Sequence, residues 1–122
     1  MSLKITVSKS TPPTVKLAGR LDTNTAPELD RELDEILAGG TLEQLVFDCA
    51  ELDYLSSAGI RCFIRARKAV EPGGGKVALV HPKPAVRKVL EIVKAMPGGI
   101  FTSTAELDAY LDDIQRQVRD ES

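Results

Sequence analysis

The chain has few of the residues that enzymes use for acid–base catalysis or metal binding. Its 122 residues contain one histidine, His81, and two cysteines, Cys49 and Cys62. The cysteines do not have Cys-x-x-Cys spacing, so a zinc site is not indicated. His81 stands beside Pro82 with no nucleophile motif nearby, so a hydrolase triad is not supported either. We therefore expect a protein that is not an enzyme and that needs no metal and no cofactor.

Long apolar runs and a strong charge of either sign are also absent. No run approaches the ~20 apolar residues of a membrane span, and residues 1–4 do not begin a signal peptide. The net charge is −2, which does not favour nucleic acid as a partner. The sequence thus predicts a cytoplasmic protein without membrane insertion.

The order of apolar patterns indicates a single α/β domain over residues 1–122, with a polar tail from about residue 119. Hydrophobic residues make up 43% of the chain, which is enough for one core at this length. Period-2 and period-3.6 patterns alternate, and this predicts a mixed sheet packed with helices. The expected sheet has about five strands with an antiparallel edge hairpin, and about four helices cover it. Strands are predicted at 3–8, 14–17, 42–48, 76–80 and 100–101; the helices follow 25, 57, 84 and 103.

Helix starts are predicted from residues that can cap free N–H groups. Thr25 and Glu28 have capping-box spacing, and Ser103 and Glu106 have the same spacing later in the chain. Ser57 is the expected N-cap of the second helix. Gly59 lies in the first turn of that helix, where the missing side chain leaves room for another backbone or an anion.

Two stretches of the chain resemble the STAS domain, the fold of bacterial anti-sigma factor antagonists. The first runs from Val46 to Arg61 and contains Tyr54-Leu55-Ser56-Ser57-Ala58-Gly59-Ile60. The second is Leu17 to Ala26, which is similar to the family's Gly-x-Leu-Asp segment and its entry into the first helix. Both stretches occur in the family's order and at about its spacing. The resemblance covers nearly the whole chain and implies the mixed sheet and helices described above.

The resemblance also implies a phosphorylation site. The family modifies the serine two positions before the glycine of an Asp-Ser-Ser/Thr-Gly-Leu pattern, and that position is Ser57 here. Ser56 stands where the family has aspartate, and Ala58 stands where it has a second hydroxyl. Ser56 is therefore a possible alternative acceptor.

The expected partner-binding surface surrounds this site. A phosphate on Ser57 adds ~1.5 to 2 negative charges, which we expect to fall near Asp48, Glu51 and Asp53. The second helix carries Arg61, Arg65 and Lys68 on one face, where they could meet an acidic partner or simply face solvent. The partner-binding residues expected on this basis are Asp22, Thr23, Asp53, Ser56, Ser57, Ala58, Gly59 and Arg61.

The function that the resemblance implies is a phosphorylation-controlled binding switch. The unphosphorylated chain would bind an anti-sigma factor with a histidine-kinase-like serine kinase domain, and so free a sigma factor. The kinase would inactivate the chain, and a PP2C-type phosphatase would restore it. The alternative within the family is a regulatory or scaffold subunit of another signalling or transport complex that does not act on a sigma factor.

Overall fold

A computed structural model describes residues 2–95 and 104–121 of the chain. Four strands lie in this part, namely β1 (Leu3–Ser8), β2 (Thr14–Leu21), β3 (Gln44–Leu55) and β4 (Lys76–Val80). The helices are α1 (Ala26–Leu37), α2 (Ser57–Val70), α3 (Pro84–Ala95) and α4 (Thr104–Glu121), and a short 3₁₀ turn occupies Glu71–Gly73. The predicted strand at Ile100-Phe101 and the Ser103 cap lie outside the described residues.

The sheet is mixed, as the sequence predicts. Its strand order is β1-β2-β3-β4. β1 pairs antiparallel to β2, while β2, β3 and β4 run parallel. Parallel neighbours need a crossover connection, and α1 and α2 supply the two crossovers. The carboxyl ends of β2 and β3 therefore meet at one edge of the sheet.

β3 is longer than the apolar run predicts. It continues past Asp48 to Leu55, because Cys49, Leu52 and Tyr54 are buried while the polar residues among them face outward. Burial alternates on either side of the register shift between Asp48 and Glu51, where Ala50 and Glu51 are both exposed, as a strand interrupted by a β-bulge allows. The strand therefore ends immediately before Ser56, and the loop that the sequence predicts between strand and helix is not present.

The core lies between the sheet and the helices. α2 buries its face with Ile60, Cys62, Phe63, Ala66 and Val70, whereas Ile64, which periodicity assigns to that face, is 40% exposed. Phe63 meets Phe47 of β3 edge to face, with ring centroids 4.9 Å apart. The largest side chains that are fully buried include Leu17, Leu21, Leu29, Leu33, Leu45, Leu52, Leu55 and Leu111.

Candidate functional site

The turns that follow β2 and β3 lie side by side. Leu21 and Leu55 are paired at the ends of these two strands. The N–H of Ser56 donates to the carbonyl of Leu21 at 3.0 Å, which ties the start of one turn to the start of the other. The sheet thereby brings together the two stretches that carry the family resemblance.

Ser56, not Ser57, is the N-cap of α2. Its backbone is extended, and its hydroxyl accepts a hydrogen bond from the N–H of Gly59 at 3.4 Å. The prediction that Ser57 caps the helix is therefore wrong. β3 runs to Leu55, so Ser56 is the single residue between strand and helix, and Ser57 is already helical.

Ser57 is buried rather than displayed on the surface. Only 3% of the residue is exposed, and its Oγ has no hydrogen-bond partner among the described residues. Its N–H donates to Oδ1 of Asp108, on α4, at 2.9 Å. Asp108 thus occupies the position at the start of α2 where free N–H groups attract an anion.

α4 makes further polar contacts with the same edge of the sheet. Gln115 is fully buried; its side chain accepts from the N–H of Leu55 and donates to the Leu55 carbonyl, both at 2.9 Å. Asp112 accepts a hydrogen bond from Tyr54, and burial together with this carboxylate raises the pKa of Tyr54. Sequence reasoning missed Asp108, Asp112 and Gln115. They lie more than 50 residues from their partners along the chain, and no local pattern marks them.

Asp22 organises the neighbouring turn. Its Oδ1 accepts from the N–H groups of Asn24 and Thr25, at 3.0 and 3.1 Å. The Thr25 hydroxyl accepts from the Asp22 N–H and donates to the Arg20 carbonyl. The predicted capping box of Thr25 with Glu28 does not form, because Thr25 has helical backbone angles and its side chain makes no cap hydrogen bond.

Gly59 is needed for packing and does not leave an open approach. A Cβ at this position would lie 2.6 Å from Cγ of Leu21 and 2.7 Å from Cδ1 of Leu55. Real Cβ atoms are essentially never found that close to other carbon atoms, so both leucine side chains would have to move. The expectation of room for an anion is therefore wrong, since the two strand-end leucines fill the space.

A groove between α1 and α2 lies beside the buried serines. Its volume is about 280 Å³, and Thr23, Ala58 and Arg61 line it together with residues of α1. Thr23 and Arg61 are exposed. Arg65, which also lines the groove, already forms salt bridges with Asp30 of α1, at 3.1 Å, and with Asp34 of the same helix. Arg61 is therefore better placed than Arg65 to meet a partner.

None of the three acidic residues expected around Ser57 supplies the charge that lies nearest to it. Asp48 lies within β3, about 23 Å before the strand end at ~3.3 Å per residue. Glu51 pairs with Lys16 on the exposed sheet surface at 3.2 Å, and Asp53 pairs with Lys83. The charge nearest to Ser57 instead comes from Asp108.

The buried thiols are unreactive structural groups. Cys49 and Cys62 are both free and buried. Burial, with a smaller contribution from Asp48 and Asp30 respectively, raises the pKa of each thiol to about 12. Within residues 2–95 and 104–121, no group of three His, Cys, Asp or Glu side chains could hold a metal ion. None of the helices in this part is both long and apolar enough to span a membrane.

The comparisons with known proteins agree with this geometry. The family model of the STAS domain matches residues 4–107. A putative anti-sigma factor antagonist of Bordetella bronchiseptica, BtrV, is 36% identical over 76 residues, which is 62% of this chain and 65% of that protein. The match thus spans less than two thirds of this relative.

Solved structures show the same fold. The anti-sigma factor antagonist SpoIIAA in its unphosphorylated form has a TM-score of 0.68 at 19% identity, covering 75% of this chain and 81% of that one. Bacillus SpoIIAA has also been solved in its phosphorylated form, with a TM-score of 0.60 at 20% identity over 74% of this chain and 83% of that one. An anti-sigma factor antagonist from Mycobacterium paratuberculosis scores 0.66 at 22% identity and covers 96% and 94% of the two chains.

These matches define a mixed-sheet fold with a helix start at the end of a parallel strand. The chain belongs to the STAS domain family. The predicted family and fold are confirmed. Proteins of this family that act as anti-sigma antagonists are generally not enzymes.

Proposed function

We propose that the chain is an anti-sigma factor antagonist that binds its partner through the surface at the start of α2 and is switched by phosphorylation of Ser57. Family membership and the names of the relatives support the role. The observation that carries the residue assignment is the position of Ser57. It is the first residue of α2, at the edge of the sheet where the Asp22 turn and the groove lined by Thr23 and Arg61 converge.

The proposed partner-binding surface has an exposed and a buried part. Thr23 and Arg61 offer a hydroxyl and a cation at the groove, and Ala58 contributes to its floor. Asp22, Ser56 and Gly59 support that surface from below, since they hold the two turns and pack against the strand ends. Asp53 lies at the same end of β3, next to Lys83.

Phosphate on Ser57 would weaken binding through charge. It adds ~1.5 to 2 negative charges at a position where Asp108 is already bonded to the Ser57 N–H. A partner covering this surface would have to desolvate the group or supply a cation. A 100-fold loss of affinity needs only ~2.7 kcal/mol, whereas attraction to the helix dipole returns ~0.3 to 1 kcal/mol. Release is therefore the expected outcome.

The partners in this scheme are an anti-sigma factor with a histidine-kinase-like serine kinase domain and a PP2C-type phosphatase that restores the free hydroxyl. The kinase supplies ATP and magnesium, so the chain itself needs no cofactor. The chain is a cytoplasmic binding protein without catalytic activity. Its single histidine is exposed and its two thiols are buried with raised pKa values, which is consistent with this role.

A second candidate role is a regulatory or scaffold subunit of another signalling or transport complex. The observation that favours it is the burial of Ser57, together with Ser56 in the position of the family's aspartate. A STAS domain that is never phosphorylated would have no need to expose this hydroxyl. In that case partner binding would not depend on the charge at residue 57.

The test is to incubate the chain with ATP and its cognate kinase and to map the modified residue by mass spectrometry. We expect phosphate on Ser57, loss of the signal in Ser57→Ala, and an unchanged signal in the control Ser8→Ala, which removes an exposed hydroxyl from β1. Modification confined to Ser56, or persisting in Ser57→Ala, would contradict the assignment.

Binding to the kinase should be measured by calorimetry at two salt concentrations. Ser57→Asp and Ser57→Glu should bind more weakly than the unmodified chain, and Ser57→Ala should bind about as well. Equal affinity of the unmodified chain, the two acidic variants and the authentic phosphoprotein would exclude the charge switch and favour the scaffold role.

A further inference from the structure

Helix α4 contacts the serine that the proposed switch must modify. Asp108 of α4 accepts from the Ser57 N–H, and Gln115 of the same helix bonds to both backbone groups of Leu55. The Ser57 hydroxyl is enclosed, with less than 1 Å² of its oxygen exposed and no hydrogen-bond partner among the described residues. A kinase has to bring the hydroxyl within hydrogen-bond reach of its own base and close to a phosphate donor. A kinase cannot reach the Ser57 hydroxyl while it is enclosed in this arrangement.

We propose that α4 is an autoinhibitory latch, which in its docked position hides Ser57 and which must leave the start of α2 before a kinase can reach the hydroxyl. The inference rests on the proposed role of Ser57 as the acceptor. It adds a regulatory step to that role, because the population of the open state sets how fast the chain can be modified.

The polar contacts between α4 and the site are ones that water can replace. The carboxylates of Asp108 and Asp112 accept hydrogen bonds there, and the side chain of Gln115 accepts one from Leu55 and donates one to it. Hydrogen bonds exchanged for bonds to water have a small net cost. Among its described side chains α4 buries only Leu111 and Gln115 fully, while its other apolar residues are half-buried or exposed. Elements with few buried apolar side chains open locally before the rest of the fold does.

Phosphorylation and docking of α4 oppose each other. A phosphate on Ser57 would compete with the Asp108 carboxylate for the same N–H and would repel it. The two equilibria are linked: docking of α4 disfavours phosphorylation of Ser57 by the same factor by which the phosphate disfavours docking of α4. The phosphorylated chain is therefore expected to keep α4 released.

The first test measures access to residue 57 without any kinase. Ser57→Cys places a thiol under α4, and a thiol-specific reagent labels it only when the helix opens; peptide mapping separates it from Cys49 and Cys62. These two native thiols are buried in the core and report global unfolding. We expect the introduced thiol to react at least tenfold faster than either native thiol, yet far more slowly than a thiol in a short unfolded peptide.

Adding Asp108→Ala should raise the labelling rate of the introduced thiol about tenfold, as expected from the loss of one charge-assisted hydrogen bond. Asp113→Ala is the matched control, since Asp113 is an exposed carboxylate of α4 that pairs with Arg116 of the same helix. It should leave the rate unchanged. The proposal would be overturned if Asp108→Ala left the labelling rate unchanged. It would also be overturned if the thiol of the Ser57→Cys single variant reacted as fast as a thiol in a short unfolded peptide.

Hydrogen exchange on the unsubstituted chain provides a second measurement that does not depend on Ser57→Cys. The amides of Leu55 and Ser57 both donate to α4 and should exchange at least tenfold faster than the amide of Phe47, a fully buried residue of β3. Equal protection of all three, or labelling of the native thiols as fast as the introduced one, would mean that α4 opens only when the whole domain unfolds. The latch would then be disproved.

These assays contain no kinase, so the latch and the proposed function can fail separately. If access to residue 57 behaves as expected but no kinase modifies Ser57, the proposed function is wrong and the local opening stands. If Ser57 is phosphorylated at the same initial rate in the unsubstituted chain and in Asp108→Ala, the autoinhibitory role is wrong and the acceptor assignment stands.

Discussion

Replacing the two adjacent serines by alanine should change stability in opposite directions. Ser56 and Ser57 are both 3% exposed, so burial does not distinguish them. Their hydroxyls differ in bonding: the Ser56 Oγ accepts from the N–H of Gly59, whereas the Ser57 Oγ has no partner in the described part of the chain. The sequence alone suggests the reverse, with Ser57 as the cap.

The magnitudes follow from these bonds. Ser56→Ala removes an N-cap, which costs ~0.5 to 2 kcal/mol, and we expect about 1 kcal/mol because the bond is long at 3.4 Å. Ser57→Ala removes a buried hydroxyl that has lost its water without gaining a partner, and such groups carry a penalty of ~1 to 3 kcal/mol. Alanine is also the better helix former by up to ~0.7 kcal/mol. We expect Ser57→Ala to stabilise the chain by about 1 kcal/mol.

The assay is urea unfolding followed by circular dichroism, in the absence of any partner or kinase. The two variants should differ by about 2 kcal/mol in the free energy of unfolding, with equal m-values. The double variant should come out near the sum, within the coupling expected of neighbouring residues. Destabilisation by Ser57→Ala together with no effect of Ser56→Ala would refute the cap assignment and the account of the buried hydroxyl.

Three further predictions use the same unfolding assay. Gly59→Ala should cost ~1 to 3 kcal/mol through overpacking, while Gly39→Ala, where a Cβ meets nothing closer than 3.5 Å, should be neutral or slightly stabilising; equal effects would contradict the packing argument. The thiols of Cys49 and Cys62 have a pKa of about 12 in the folded chain, against an ordinary value of 9.0. The buried neutral thiols therefore make their full contribution to stability below pH 9, and this contribution should fall as the pH rises from 9 towards 12. In Cys→Ala variants the free energy of unfolding should fall less steeply over that range. A pH profile of stability that these variants leave unchanged would argue against this account. Asp22→Ala should cost about 1 to 2 kcal/mol because two N–H groups lose their acceptor, and a cost below about 0.3 kcal/mol would show that water replaces the carboxylate.

Local patterns were sufficient to predict most of the fold. The alternation in β1 and the 3.6-residue periodicity of α1 and α3 mark which face is buried, and both follow from the spacing of apolar side chains. The extent of β3 was underestimated, because Asp48, Glu51 and Asp53 interrupt its apolar run. Those residues are on the outward face, where a strand with one covered face tolerates charge.

The site was predicted only in part, for reasons of distance along the chain. The predicted partner-binding residues include members of the Asp22 turn and of the Ser56 turn, and the pairing of Leu21 with Leu55 brings these two turns side by side. The contacts of Asp108 and Gln115 could not be foreseen, since they join residues 51 and 60 positions apart. A helical periodicity tells which face of α4 is apolar, but not which part of the molecule that face will cover.

The hydrogen bond from the Ser56 N–H to the Leu21 carbonyl also decides whether a partner recognises a linear segment of the chain or a folded surface. It fixes the spatial relation of two turns that are separated by more than thirty residues in the sequence. On the proposed function, recognition is conformational, so a linear peptide containing Tyr54 to Arg61 would hold only half of the binding determinant. An unfolded or truncated copy of the chain would then fail to sequester the anti-sigma factor, and only correctly folded molecules would contribute to the cellular response.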